Sequence, residues 1–289
     1  MQKKFLYVLN PIAGGAADHS QTFEQIRQVL DDPLLEVFKT TGGDDTAMIR
    51  ELARQQQWHG ILVGGGDGTI NAVVGAVSDL SIPVGIIPFG SANGLATCLD
   101  IYDPEDTLEA IRTEKIQDLD ILRINGLLCL HLADFGFNAG LIKKFDEGSQ
   151  RGMLAYFRNS LQGFLENKPY RFVVGIDQQQ VQVEARMVVI ANGDKYGTRA
   201  LINPDSAMDD GLLEIIALNP QGLDDMVSLS IDLYRGTLAE SPLVKRWSCQ
   251  RAWIDNPDKA LFQIDGEVVE DTPRAEVVCE PGQVKFFVP

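Results

Sequence analysis

The sequence predicts two domains, a doubly wound α/β domain over residues 1–122 and a β-rich domain over residues 123–289. Three observations carry that prediction. Short apolar runs alternate with helical patterns through the first 120 residues, the mark of a parallel sheet with crossover helices. From about Gln117 onward, strand-like runs follow one another with turn signals between them and few helices intervene. The chain's 289 residues, 45% apolar and 23% charged, suffice for one large or two ordinary domains with a sizeable core.

The first element is the apolar run Phe5–Leu9, which reads as a strand ending at the turn Asn10–Gly15. Phe23, Ile26, Val29 and Leu30 then recur at helical spacing behind Asp18 and Ser20, either of which can cap the helix. Leu35–Lys39 reads as strand and Asp44–Gln57 as helix, Gly60–Val63 as strand and Ile70–Val77 as helix, and Val84–Ile87 as strand with a helix from about Ala92. Beyond Gln117 the candidate strands are Leu127–Phe135, Arg171–Asp177, Gln182–Asn192, Leu212–Leu218, Ala260–Ile264 and Val284–Val288. Gly152–Glu166 reads as a helix with Leu154, Phe157, Leu161 and Leu165 on one face, and Leu223–Leu238 as another.

Composition narrows the function. With Lys+Arg 25 against Asp+Glu 41 the net charge is −16, so a broad basic face able to neutralise a row of phosphates is not expected, and neither is nucleic acid as a partner. The apolar runs Gly60–Gly66 and Ile82–Phe89 fall far short of the roughly 18 residues a spanning helix needs, and Met1–Leu9 meets Asn-Pro too early for a signal peptide, so a cytosolic protein is expected. Cys98, Cys129, Cys249 and Cys279 lie far apart without CxxC spacing, which suits reduced, individually packed thiols. No Lys or Arg lies between Arg54 and Arg112.

That gap encloses the most informative segment, Gly64-Gly65-Gly66-Asp67-Gly68-Thr69, set between a buried strand and a helix. Glycines there let main-chain N–H groups and a helix N-terminus come close to a phosphate, although a tight ligand-free turn is the plainer alternative. Neither Gly-Lys-Ser/Thr nor Gly-x-Gly-x-x-Gly fits the spacing. Asp67 would repel phosphate unless a cation or a hydrogen-bonded turn offsets it, and magnesium is the expected answer. Similar loops, Asn10–Gly15 and Pro88–Gly94, follow two other strands. In a parallel sheet the carboxyl ends of the strands share one edge, so the three loops are expected to converge. For Asn10 and Asn93, simple turn formation remains an equal alternative.

Asn10-Pro-x-Ala-Gly, Gly65-Gly-Asp-Gly-Thr and Pro88-Phe-Gly-Ser-Ala-Asn resemble the three N-terminal motifs of the diacylglycerol kinase catalytic-domain family, which includes bacterial soluble lipid kinases and sphingosine kinases. The resemblance continues along the whole chain. Gly136-Phe137, Gly152-Met-Leu-Ala-Tyr156, Ala191-Asn192-Gly193, Asn203-Pro204-x-x-x-Met-Asp-Asp210-Gly211-Leu-Leu213, Asp265-Gly266-Glu267 and the closing Phe287-Val288-Pro289 recur in the family's order.

What the resemblance implies is a kinase with ATP in a three-layer N-terminal α/β domain like that of NAD kinase, and a lipid hydroxyl presented against a C-terminal β-sandwich. Candidate nucleotide-binding residues are Asn10, Thr40 (or its neighbour Thr41), Ser91, Asn93 and the run Gly64, Gly65, Gly66, Asp67, Gly68 and Thr69. Asp265 and Glu267 are the candidates for activating the acceptor hydroxyl, and Asp67 is counted with them as catalytic. Asp210 with the carbonyls of Leu213 and Ile215 resembles a structural magnesium site of bacterial members, with an Asp-Gly turn as the alternative. Chemistry agrees: phosphoryl transfer needs positioning and charge stabilisation, and a carboxylate must take the hydroxyl proton.

Several positions depart from the family pattern. Ala72 stands where Glu is usual, Gly94 where bacterial members often have Asp, and His131 and Asn138 where an Asn and an Asp are common. His131 reads as a packed strand residue rather than a catalyst. The expected activity is magnesium-dependent transfer of the γ-phosphoryl of ATP to a diacylglycerol-, phosphatidylglycerol- or sphingoid-like hydroxyl. Two alternatives stay open: a kinase of a soluble acceptor, as NAD kinase is, and a non-catalytic nucleotide- or lipid-binding regulator in which Ala72 marks lost catalysis. The expected partner is lipid at a membrane surface, met peripherally through Lys143, Lys144, Arg151 and Arg158 with Phe145, Met153 and Phe157 available for insertion. A homodimer is one expected assembly.

Overall fold

The computed structural model describes residues 2–14, 19–90, 93–136, 168–196, 200–203 and 206–289. The chain forms two compact units, Met1–Ile121 with Pro281–Pro289, and Leu122–Glu280. In the first, β1 (Lys4–Leu9), α1 (Ser20–Val29), β2 (Leu34–Lys39), α2 (Thr46–Gln55), β3 (Gly60–Gly65), α3 (Asp67–Val77) and β4 (Val84–Pro88) alternate as the periodicity predicts. The four strands are parallel in the order β2-β1-β3-β4. Burial follows position in that order: every residue of the inner strand β3 is buried, whereas β2, at the edge, alternates between exposed and half-buried.

Past β4, α4 (Gly94–Cys98) is a short helix, and α5 (Pro104–Arg112) is one the periodicity did not predict. Its start is nonetheless written locally. Asp103 accepts from the amide of Glu105, Asp106 reaches back to the amide of Asp103, and Pro104 occupies the first turn, a reciprocal cap that satisfies otherwise orphaned donors. The core of this unit packs Phe5, Tyr7, Ile26, Leu62, Ile87 and Ile111 around Phe287. Phe287 comes from the far end of the chain, and residues 281–289 group with the first unit, whose core Phe287 fills.

Strand β5 (Ile116–Ile124) leads into the second unit, which contains β6 (Leu127–Cys129), β7 (Leu132–Gly136), β8 (Tyr170–Ile176), β9 (Gln179–Ala185), β10 (Met187–Ala191), the small pair β11 (Lys195–Tyr196) and β12 (Ala200–Leu201), β13 (Leu213–Leu218), α6 (Leu223–Arg235), β14 (Val244–Cys249), β15 (Arg251–Asp255), β16 (Phe262–Ile264), β17 (Glu267–Val269) and most of β18 (Arg274–Phe287). One sheet has the antiparallel order β14-β13-β10-β7-β16-β17; the other runs β18-β15-β8-β9. The sandwich core holds Phe135, Phe172 and Phe262, with the Phe135 and Phe262 rings stacked at 4.3 Å. Leu229 of α6 covers the other face of the first sheet against Val189 and Ile216.

Two predicted strands are each two. Leu127–Phe135 breaks at Leu130 and His131, and Gln182–Asn192 breaks at Arg186, whose Nε donates to the Pro220 carbonyl at 2.7 Å. Strands β5, β11, β12, β14, β15 and β17 were not predicted, and Val284–Val288 is the end of the long β18. The predicted helix Gly152–Glu166 and the basic stretch from Lys143 to Arg158 lie outside the described residues, as does Asn138. No helix among the described residues is long and apolar enough to cross a membrane.

Candidate functional site

The strand order β2-β1-β3-β4 reverses direction between β1 and β3. Connections therefore leave these two neighbours on opposite faces of the sheet and open a crevice at their carboxyl ends, where ligands bind in doubly wound sheets. The structure brings the predicted loops together there. Asn10 donates its amide to the Gly64 carbonyl at 2.8 Å, and Phe89 donates its own to Gly65 at 3.0 Å. The Asn10 side chain makes a turn by accepting from the amide of Ile12, and its Nδ2 lies 3.4 Å from Thr69 Oγ1. Gly66 is extended and immediately precedes α3, whose first acceptor it provides to Thr69 and Ile70. The amides of Asp67 and exposed Gly68 thus form the open start of that helix.

Three glycines have no room for a side chain. A β-carbon on Gly64 would stand 2.6 Å from Tyr7 Oη, a buried hydroxyl without a partner among the described residues. On Gly65 it would strike Thr69, and on Gly66 it would stand 3.1 Å from the α-carbon of Gly90. Thr40, after β2, is half-buried and its amide donates to Leu9. Its neighbour Thr41 donates both its amide and its hydroxyl to Asp45 at 2.8 Å. Ser91 lies outside the described residues.

Asp67 answers the charge problem posed by its place in the loop. Its carboxylate accepts from the amides of Gly94 and Leu95 at 2.9 and 3.1 Å, at the start of α4. Asn93, in the left-handed region at φ 50, turns the chain so that both amides face it. A hydrogen-bonded turn is thus set against this carboxylate.

In the second unit Asp265 and Gly266 are the two central residues of the β16–β17 hairpin, with φ of 47° and 92°, the combination an Asp-Gly type I′ turn requires. The two acids of the motif point to different tasks. Glu267 is exposed at the start of β17, while the Asp265 side chain is 6% exposed. Asp265 accepts from the amides of Leu130, His131 and Leu132 at 2.7, 3.1 and 3.2 Å. Burial pushes its pKa up, but the His131 contact and the amide donors outweigh that and hold it below the ordinary carboxylate range. Cys129 Sγ lies 3.8 Å away, and burial together with this carboxylate pushes the thiol pKa up, so it stays protonated. Gly266 donates to Gln263 Oε1 at 2.7 Å, and the Gln263 amide in turn donates to buried Asp134. Asp134 and Gln263 were missed in the sequence because each reads as one polar position in an apolar strand.

Asp210 is exposed and accepts from the amide of Leu212 at 2.9 Å, the Asp-Gly turn. Leu213 and Ile215 are buried in β13, so they can offer only carbonyls. Behind the turn, buried Glu214 accepts from Asn203 Nδ2 at 2.5 Å, Ser206 Oγ at 3.0 Å and Ser248 Oγ at 3.1 Å. No cluster of three or more His, Cys, Asp or Glu able to hold a metal occurs among the described residues.

The diacylglycerol kinase catalytic domain matches residues 4–124, and the YegS C-terminal NAD kinase beta sandwich-like domain matches residues 133–288. The chain belongs to the diacylglycerol kinase catalytic-domain family. Within that family it is similar to "Diacylglycerol kinase" of Bacillus subtilis (strain 168), 26% identical over 237 residues that cover 79% of this chain and 77% of that one. It is likewise similar to "Probable lipid kinase YegS-like" of Enterobacter sp. (strain 638), 27% identical over 271 residues, 91% and 88% of the two chains. A crystal structure of a diacylglycerol kinase from Bacillus anthracis str. Sterne shares the fold at a TM-score of 0.76, with 21% identity over 100% of this chain and 97% of that one. The glycine loops of this diacylglycerol kinase-family chain thus lie in its catalytic-domain match, and the Asp265–Glu267 hairpin in its sandwich match.

Proposed function

We propose that the chain is an ATP-dependent lipid kinase whose first unit binds the nucleotide phosphates on the loops after β1, β3 and β4. The approach of Gly66 to Gly90 beside the open amides of α3 carries this reading, because it places main-chain donors where no side chain intervenes. In the transfer the acceptor hydroxyl oxygen bonds the γ-phosphorus, the bond from that phosphorus to the bridging oxygen breaks, and ADP departs. Glu267 takes the hydroxyl proton. Asp265 does not compete for it, since four donors already face its carboxylate.

Magnesium would supply charge neutralisation on the phosphates. The donors around Asp210, one exposed carboxylate and nearby carbonyls, are all oxygen and suit a hard cation that keeps several waters. Asp210 and the carbonyls of Leu213 and Ile215 would hold a second, structural ion, as a brace for the turn.

The experiment is γ-labelled ATP with the purified chain and mixed micelles of dioctanoylglycerol, phosphatidylglycerol and sphingosine, with NAD in a parallel aqueous reaction. Label in the organic phase supports a lipid acceptor; label only in NAD would move the reading to a soluble-acceptor kinase. Calorimetry on Gly68→Val, with circular dichroism to check the fold, tests the loop itself. Unchanged ATP affinity would remove it from the site.

A further inference from the structure

The break between β6 and β7 has no task in the reading above. His131 stands in that break, its side chain 9% exposed, with Nδ1 2.8 Å from Asp265 Oδ1. A carboxylate only accepts, so Nδ1 attracts it at this distance only when it carries a hydrogen, and the contact is a close polar approach rather than an aligned hydrogen bond. The segment holding the ring is itself fixed. The His131 carbonyl accepts from the amides of Asn192 and Gly193 at 2.9 and 3.1 Å, and the Leu130 carbonyl accepts from Asn192 Nδ2 at 2.8 Å. On the other side, Asp265 donates its amide to Leu132 at 2.9 Å. A rigid segment therefore presents one imidazole and three amides to one carboxylate.

Two residues further along the hairpin stands Glu267, paired with Ile264 across β16 and β17. Asp265 occupies the turn, with φ of 47°, and its carboxylate ties that turn to residues 130–132, so the His131 contact is one of the ties that fix where the hairpin carrying Glu267 lies. We infer that His131 is a positioning residue for phosphoryl transfer: through Nδ1 it locks Asp265 and so sets the direction from which Glu267 meets the acceptor. The assignment of Glu267 as proton acceptor is the reading on which this rests.

Asparagine and glutamine separate the two ring nitrogens, since Asn Nδ2 falls where His Nδ1 lies and Gln Nε2 where His Nε2 lies. His131→Asn should keep kcat for transfer to the micellar acceptor and leave the amide resonances of Gly266 and Glu267 in place. His131→Gln should shift those resonances and lower kcat by about 10- to 100-fold, the scale of a misplaced group, with KM for ATP unchanged. A His131→Gln enzyme equal to wild type, or a His131→Asn enzyme as impaired as His131→Gln, overturns the inference. A long-range nitrogen–proton spectrum of the wild-type chain, which has 3 histidines, gives a check that needs no variant: Nδ1 of His131 must carry the hydrogen, and a Nε2–H tautomer overturns the pairing. Glu267→Gln tests the underlying reading separately, because wild-type turnover in that variant would remove Glu267 whatever His131 does.

Discussion

A β-carbon placed on Gly90 would stand 2.7 Å from the α-carbon of Gly66. The loops after β3 and β4 thus meet backbone to backbone, and Gly90→Ala must push them apart. The expected cost is about 1–3 kcal/mol in folding stability, as for other overpacked sites, with ATP affinity falling in parallel. Urea unfolding and calorimetry measure both, and an alanine variant with unchanged affinity would separate this contact from nucleotide binding.

Asp67 holds the first amides of α4, so Asp67→Ala leaves two donors without their carboxylate. A loss of about 1–3 kcal/mol is expected for such bonds. Asp67→Asn keeps one oxygen and should recover part of it. Equal unfolding midpoints for all three proteins would show that the cap contributes nothing.

The two acids of the hairpin should separate cleanly. Glu267→Gln alters an exposed side chain and should melt like wild type while transferring phosphate about 10²–10⁴-fold more slowly. Asp265→Asn replaces a buried acceptor of three amides and should lower the melting temperature. Loss of activity without loss of stability in Asp265→Asn would reverse the two roles.

Stability should depend on pH through Asp265. Its folded pKa is lowered below the unfolded value of about 3.9, so the stabilisation is fully present above that value and is lost as pH falls through the folded one. Urea unfolding measured from about pH 6 downward should show this decline, and Asp265→Asn should flatten it. A decline of the same steepness in the variant would assign it to other carboxylates.

Glu214 gathers Asn203, Ser206 and Ser248 around one buried carboxylate. Glu214→Ala strands those donors and should cost about 1–3 kcal/mol, the penalty for buried polar groups left unsatisfied. Amide exchange should accelerate in residues 206–212, the segment that carries Asp210. Unaltered exchange there would mean that the turn stands on its own.

Much of the first unit was legible because β1, β3 and β4 are short apolar runs closed by Asn, Gly or Pro. Gly60–Gly65 announces both a buried strand and the loop after it. The second unit was less so. Leu127–Phe135 is apolar throughout, so nothing local marks the break at Leu130 and His131, which exists to meet an acid 134 residues away in sequence. The motif Asp265-Gly266-Glu267 was visible, but which acid turns inward follows from the hairpin register, not from spacing. For the same reason His131 read as packing: its partner is long-range. The capping acids of α5 are readable in Asp103-Pro104-Glu105-Asp106, and the helix that follows buries Leu108, Ala110 and Ile111 on one face.

The first unit is discontinuous in sequence: its core includes Phe287, and Gly282 donates to Asp120 Oδ1 at 2.8 Å. During synthesis, then, residues 1–121 leave the ribosome with a hole in their core that stays open while 122–280 are made. Domains usually mature in the order in which they are translated. Here the first unit reaches its final packing only after the second has been delivered, so a translational stall anywhere in the second unit would leave an unfilled core in the first as well as a missing sandwich.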